Sequence, residues 1–169
     1  ALSCEKCLVF NKALDRYAVG NIPVKYWRIK MDKASFKGPP TLFDRYESLT
    51  KDLGKTYSEG ICICFSGSLG SGKTTTCTGV LKRASEKNYS IQYLTLNDII
   101  ANLTGLNDEK ISTRNHILTV DFLVIDEFDQ RYIGSDAASD LFGRILEDIV
   151  RTRVQNTLPT FFCTNSLKW

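Results

Sequence analysis

The chain has 169 residues, 43% of them hydrophobic, enough to bury one sizeable core but short for two. Its formal net charge of +3 excludes the strongly cationic balance of a dedicated nucleic-acid coat, while permitting a nucleic-acid partner. No apolar run reaches the roughly 18 to 20 residues that span a bilayer, and Ala1-Leu2-Ser3-Cys4 lacks the layout of a secretory leader, so a soluble cytoplasmic protein with no membrane partner is expected.

The first residues carry a Cys-x-x-Cys pair, Cys4 and Cys7, followed by a stretch at 8–17 that can form a short helix. After Gly20 come Asn21-Ile22-Pro23 and an aromatic, basic segment, Tyr26-Trp27-Arg28-Ile29-Lys30, read as an adaptor wrapped on the core. Gly38-Pro39-Pro40 breaks the chain, and Thr41 is a plausible N-cap for a helix running to about residue 53, with Leu42, Tyr46, Leu49 and Leu53 at helical spacing. From Gly60 the pattern changes. Ile61-Cys62-Ile63-Cys64-Phe65 is a continuous apolar run, which predicts a central strand buried on both faces. A helix is predicted over 73–87, a strand over 91–94, a helix over 97–103, a strand over 122–125, a helix over 136–153 and a strand over 160–163. Strands alternating with helices imply a parallel α/β sheet. The boundaries divide the chain into residues 1–19, the end of a zinc module or adaptor; 20–59, a linker and helix packed on the core; and 60–169, the core itself. Of the six cysteines, Cys62, Cys64, Cys77 and Cys163 lie in or beside apolar segments, where reduced thiols behave as small hydrophobes.

Gly67-Ser68-Leu69-Gly70-Ser71-Gly72-Lys73-Thr74 matches G-x-x-x-x-G-K-[ST] between a predicted buried strand and a predicted helix, as a P-loop requires. Its glycines let several backbone N–H groups face the phosphates of ATP or ADP, and the helix start, including Thr75, adds partial positive charge. Lys73 is expected to reach the β- and γ-phosphates, and Thr74 to place its hydroxyl on Mg²⁺. The motif is specific for nucleotide binding and uninformative about reaction type, because kinases, switches and motors share it.

Phe122-Leu123-Val124-Ile125 then predicts a buried strand with two acids, Asp126 and Glu127, at its carboxyl end, the edge where parallel α/β sheets bind ligands. Asp126 is placed to hold Mg²⁺ and Glu127 to polarise a water for in-line attack on the γ-phosphate, so hydrolysis is the preferred reaction. The last apolar strand is followed by Thr164 and Asn165; if it lies between the P-loop strand and the Asp-Glu strand, the Asn165 amide can orient the attacking water.

These three motifs, in this order, resemble the AAA+ ATPases, and more narrowly the DnaC/DnaI-type helicase loaders and the related IstB-type transposition ATPases. The narrower likeness rests on Asn21-Ile22-Pro23-Val24-Lys25-Tyr26-Trp27, Phe36-Lys37-Gly38, Tyr93-Leu94-Thr95-Leu96-Asn97-Asp98-Ile99-Ile100, Leu123-Val124-Ile125-Asp126-Glu127-Phe128 and Pro159-Thr160-Phe161-Phe162-Cys163-Thr164-Asn165. The resemblance implies a parallel-sheet P-loop core of the AAA+/ASCE type with helices on both faces. It further implies ATP-bound subunits that self-associate through their ATP sites, assemble on a replicative helicase hexamer and place it on single-stranded DNA in a bacterial or phage setting. By resemblance, residues 95–103 contact single-stranded DNA and residues 22–27 lie near the adenine. Family members also carry an arginine finger and a second sensor arginine in a last strand and lid beyond the Asn-ended strand. The chain starts without Met, stops at Trp169 and lacks that strand and lid, so it reads as a fragment with weak hydrolysis alone. Arg151 and Arg153 either face a neighbouring subunit or, as is commoner for arginines on an amphipathic helix, form solvated surface.

Cys4 and Cys7 have zinc-knuckle spacing, but four-coordinate Zn²⁺ needs two more ligands that the sequence does not obviously supply. They are read either as an unliganded pair or, because such loaders often carry an N-terminal zinc module, as half of a four-cysteine site. Tyr26-Trp27-Arg28 admits base stacking, with packing on the core the preferred reading. His116, the only histidine, is expected to be structural or on the surface rather than catalytic. The alternatives to a loader are an IstB-type transposition helper, a P-loop small-molecule kinase and a nucleotide-gated adaptor that does not hydrolyse ATP.

Overall fold

In a computed structural model of the chain, residues 5–103, 108–128 and 137–165 are described. Four short runs rich in aromatic and β-branched residues form the strands β1 (Cys62–Ser66), β2 (Ile91–Thr95), β3 (Phe122–Phe128) and β4 (Thr160–Thr164). All pair in parallel, in the order β1-β4-β3-β2. The last strand therefore inserts between the first and third, the placement on which the Asn165 reading depended. Because the strands are parallel, helices must return the chain, and they do so on both faces.

One face is covered by α1 (Glu5–Val19), α2 (Pro40–Lys51) and α4 (Lys73–Glu86). Along α4, Cys77, Val80, Leu81 and Ala84 are fully enclosed against Phe122, Val124 and Phe161 of the sheet. The other face is covered by α5 (Leu96–Leu103), α6 (Asp108–Thr119) and α7 (Ala137–Gln155), whose Ile99, Ile117 and Ile149 pack on Leu123 and Ile125. No described helix is long and apolar enough to cross a membrane.

Three expectations are corrected. β1 is not buried on both faces: it is the edge of the described sheet, with Cys62, Cys64 and Ser66 exposed and only Phe65 buried. Cys62 and Cys64 are thus exposed thiols, whereas Cys77 and Cys163 are buried as expected. The single helix expected to run to residue 53 is two, α2 and α3 (Leu53–Ser58). Pro39 and Pro40 occupy the start of α2, where a missing N–H costs nothing, and Asp52 leaves helical geometry to cap α3 by accepting from the Lys55 N–H at 2.9 Å. Helix α6 was not anticipated at all.

Arg153 is the third correction, since it is neither exposed nor available to a neighbouring subunit. It is fully buried. Its Nε donates to Thr160 Oγ1 (2.9 Å), Nη1 to the Ile117 and Val120 carbonyls (2.8 Å each) and Nη2 to the Pro159 carbonyl (2.9 Å). Burial pushes its pKa down to about 10, so it stays charged at neutral pH. Arg151, by contrast, is exposed and pairs with Glu147 one turn earlier.

Between α1 and α2 the chain forms a strap that includes a 3₁₀ turn at Val24–Tyr26. Trp27 packs edge-on against Tyr17 (6.5 Å between ring centroids) and donates its indole N–H to the Ile22 carbonyl (2.6 Å), so it serves packing. Lys82 of α4, buried, reaches across to donate to the Tyr26 carbonyl (2.9 Å) and the Ile29 carbonyl. Burial lowers its pKa.

Replacing Arg153 by Met leaves several buried carbonyls without a donor, and is expected to lower stability by about 3 kcal/mol. Arg151→Met, which removes one exposed pair, is expected to cost less than about 1 kcal/mol. Urea unfolding of the two variants checks the contrast, and equal midpoints would remove Arg153 from this structural role.

Candidate functional site

The site is assembled where the strands end. After Ser66, residues 67–72 turn back over the sheet so that α4 can start at Lys73. Gly72 makes the turn with φ +94°, a left-handed conformation that favours glycine, and a Cβ there would lie 3.2 Å from the Phe36 ring. The strap passes close beneath: a Cβ on Gly38 would lie 2.7 Å from the Ser71 carbonyl oxygen, so only glycine lets the two backbones approach.

Lys73 is buried at 5% exposure, and its Nζ donates to the carbonyls of Gly67 (2.9 Å) and Ser68 (2.8 Å), with Ser71 Oγ at 3.3 Å. The ammonium is therefore held inside the curl of its own loop. The first turn of α4 has no preceding turn to satisfy its N–H groups, which gives this end of the helix its affinity for anions.

At the end of β3 the pairing with β4 slips. Ile125 is opposite Phe162 and Phe128 opposite Thr164, so Asp126 and Glu127 together face the single residue Cys163. This is a β-bulge, and Glu127 adopts φ +56° to make it. The bulge changes the alternation of faces. Phe128 joins Leu123 and Ile125 in the core beneath α5 and α7, where a regular strand would have sent it to the opposite side. Both acids consequently line one cavity. A left-handed conformation at a non-glycine residue costs about 1–2 kcal/mol, and such strain gathers at functional sites.

Asp126 is buried at 6% exposure. Its Oδ2 accepts from the Tyr93 hydroxyl and its Oδ1 from the Glu127 N–H, each at 2.7 Å. Burial first, then the neighbouring carboxylate, holds the Tyr93 phenol well above its ordinary pKa, so it remains a donor. Beside them the Cys163 thiol donates to Cys77 Sγ (3.1 Å), joining β4 to α4; that hydrogen bond and burial raise the Cys163 pKa well above its usual value.

These groups surround a cavity of about 360 Å³. Leu69, Gly70, Ser71, Gly72, Lys73, Thr74 and Thr75 line it from the loop and α4, Asp126 and Glu127 from β3, and Asn165 from the end of β4. Gly67 and Ser68 contribute the carbonyls that hold Lys73. Cys4 and the Cys7 side chain lie outside the described residues, and with them the zinc reading. Lys25 and Tyr26 of the strap, Tyr93 and Cys163 complete the lining. Tyr93 and Cys163 belong to none of the motifs; the one available signal was a tyrosine between Gln92 and Leu94 in a short predicted strand. His116 is exposed, outside this cavity, with Nε2 3.1 Å from Gln92 Oε1. A larger open cavity of about 1100 Å³ lies between residues 27–31, α2 and α4, away from these groups.

Among the described residues no group of three or more His, Cys, Asp or Glu side chains could hold a metal. Mg²⁺ needs no such cage, because it is bound through one or two carboxylates together with substrate phosphates. A buried carboxylate and a threonine hydroxyl lining one cavity fit that hard-oxygen requirement.

The fold is that of AAA+ P-loop domains, a parallel sheet with helices on both sides. Among solved structures the chain is similar to DnaI (TM-score 0.65, 21% identity, 86% of this chain and 76% of that one). It is similar also to the DnaC helicase loader (TM-score 0.64, 24% identity, 87% and 82%). A third match is the replication initiator DnaA bound to AMPPCP and single-stranded DNA (TM-score 0.65, 17% identity), of which the chain covers 43%. No protein-family model and no curated protein matches the sequence.

The bulge predicts an inverted preference at position 127. In a regular strand valine would be the better residue and glycine the worse. In the left-handed conformation Glu127→Gly is expected to be more stable than Glu127→Val by about 1–2 kcal/mol. Denaturant unfolding decides between them, and a more stable valine variant would rule out the bulge.

Proposed function

We propose that this chain binds ATP with Mg²⁺, hydrolyses it, and acts as a DnaC/DnaI-type loader that delivers a replicative helicase hexamer to single-stranded DNA. The observation that carries the reading is the convergence of Lys73, Asp126, Glu127 and Asn165 on one cavity from the ends of three adjacent strands. Lys73 and the N–H groups at the start of α4 bind the triphosphate, and Thr74 with Asp126 holds Mg²⁺. When bound, the metal neutralises charge that develops on the phosphates. Glu127, exposed at the cavity mouth, accepts the proton of the attacking water, and the Asn165 amide orients that water. The strap closes the far side of the cavity with Tyr26, whose ring suits the flat face of a base.

The likeness to DnaI and the DnaC helicase loader supports the helicase as partner, and the DnaA neighbour bound to single-stranded DNA supports the DNA. Residues 95–103 are the element proposed to meet DNA: Asp98 accepts from the Thr95 N–H and hydroxyl (2.7 Å each), so α5 starts at the same sheet edge as the ATP cavity. Self-association through ATP sites would bring the neighbouring subunit's charges to the exposed Glu127 side of the cavity.

Lys73→Ala is expected to weaken binding of a fluorescent ATP analogue at least tenfold or so, because the buried cation at the phosphates is lost. Glu127→Gln is expected to retain binding while phosphate release falls by a factor on the order of 10² or more. Retained hydrolysis in Glu127→Gln would take Glu127 out of the catalytic role. ADP formation that depends on an added acceptor, without matching release of phosphate, would point instead to a kinase. A pull-down in ATP that retains a transposase rather than a replicative helicase would overturn the loader reading.

A further inference from the structure

We infer that Tyr93 is a positioning residue for Asp126, its hydroxyl holding the carboxylate in the orientation from which it takes up Mg²⁺. The inference rests on the ATP reading of the cavity and extends it to a residue outside the motifs.

The register of β2 against β3 places Tyr93 opposite Val124, two residues before Asp126 on the same face of the sheet. A diagonal neighbour at that separation is within reach of a long aromatic side chain and out of reach of a short one. The phenol spans the gap, and its oxygen lies 2.7 Å from Asp126 Oδ2. Both residues are buried, at 5% and 6% exposure, so water competes little for this bond.

Fixing one oxygen would still let the carboxylate turn. The second oxygen, Oδ1, accepts from the Glu127 N–H at 2.7 Å, a bond made by the bulge. Rotation about the Cβ–Cγ bond of Asp126 would break both bonds at once. Each carboxylate oxygen offers about two lone-pair directions, so one on each oxygen is left for the cavity.

Tyr93 itself has little freedom. Its backbone N–H donates to the Gly20 carbonyl (2.8 Å), and its carbonyl accepts from Asn21 Nδ2 (3.2 Å), tying it to the strap. Packing alone does not explain the hydroxyl. The ring belongs to the apolar core on the α4 side, where phenylalanine would fill the same volume, and a buried hydroxyl is costly unless partnered. Groups that hydrogen-bond to a metal ligand set its orientation, and their removal typically lowers metal affinity 10- to 100-fold.

The test is Tyr93→Phe in this 169-residue chain, with affinity for a fluorescent ATP analogue titrated against MgCl₂ and repeated in EDTA. The expected result is unchanged affinity in EDTA, with roughly tenfold more Mg²⁺ required for the half-maximal effect. Tyr93→Phe introduced on top of Asp126→Asn is expected to change the Mg²⁺ requirement no further. A Mg²⁺ requirement equal to that of the parent overturns the inference. So does an affinity that falls equally in EDTA, which would make Tyr93 a packing residue only. If the parent chain shows no Mg²⁺ effect, the role proposed for Asp126 fails and this inference fails with it, a pattern distinguished by a flat titration of the parent itself.

Discussion

A buried guanidinium sits at the opposite end of the sheet from the candidate site, and the site's geometry follows from it. Arg153 donates to carbonyls at the end of α6, just before β3, and to the Pro159 carbonyl and Thr160 hydroxyl at the start of β4. It thereby sets where two neighbouring strands begin relative to one another. Parallel strands have no tight turn to fix their offset, so some other interaction must. With these two beginnings aligned, the ends of β3 and β4 reach one edge together, and β1, paired to β4, brings the loop before Lys73 to Asp126 and Asn165 there. The cost of burying a charge is met by several carbonyls that would otherwise need partners of their own.

At the ligand edge the problem is different. A regular β3 would send Asp126 and Glu127 to opposite faces, leaving only one of them beside the phosphate loop. The bulge keeps both at the cavity and returns Phe128 to the core it fills. The strained Glu127 backbone is held by the hydrogen bond from its own N–H to Asp126 and by the packing of Phe128 directly after it. Strain, carboxylate orientation and core packing at this point are one local arrangement.

The phosphate loop, the acidic strand end and the Asn-ended strand were legible because each joins a short apolar run to an abrupt polar terminus. The insertion of β4 between β1 and β3 could be stated only as a condition, since strand order is not encoded in local pattern. The exposure of β1 was misread for a related reason: Ile61-Cys62-Ile63-Cys64-Phe65 has no polar alternation, and such a run looks the same in the middle of a sheet as at its edge. Helix α6 has no apolar stripe to announce it; Ile117 is buried but Ile111 is 48% exposed. Arg153 was misjudged because arginine on an amphipathic helix is ordinarily solvated, and its acceptors come from segments distant in the chain. The bulge left no trace either, since glutamate is not a residue that favours positive φ.

Lys82 ties two regions that the chain separates widely. Its ammonium is buried and takes its acceptors from the strap, while its own backbone belongs to the helix that starts at the phosphate loop. If the strap lifted away, the cation would have to follow it or give up both carbonyl acceptors, and a buried ammonium that loses its partners costs several kcal/mol. These bonds therefore couple the strap to the helix. A displacement at Tyr26 would reach Lys73 through the stiffness of a helix rather than through a chain of adjustable side chains, and a disturbance at Lys73 would reach the strap along the same helix.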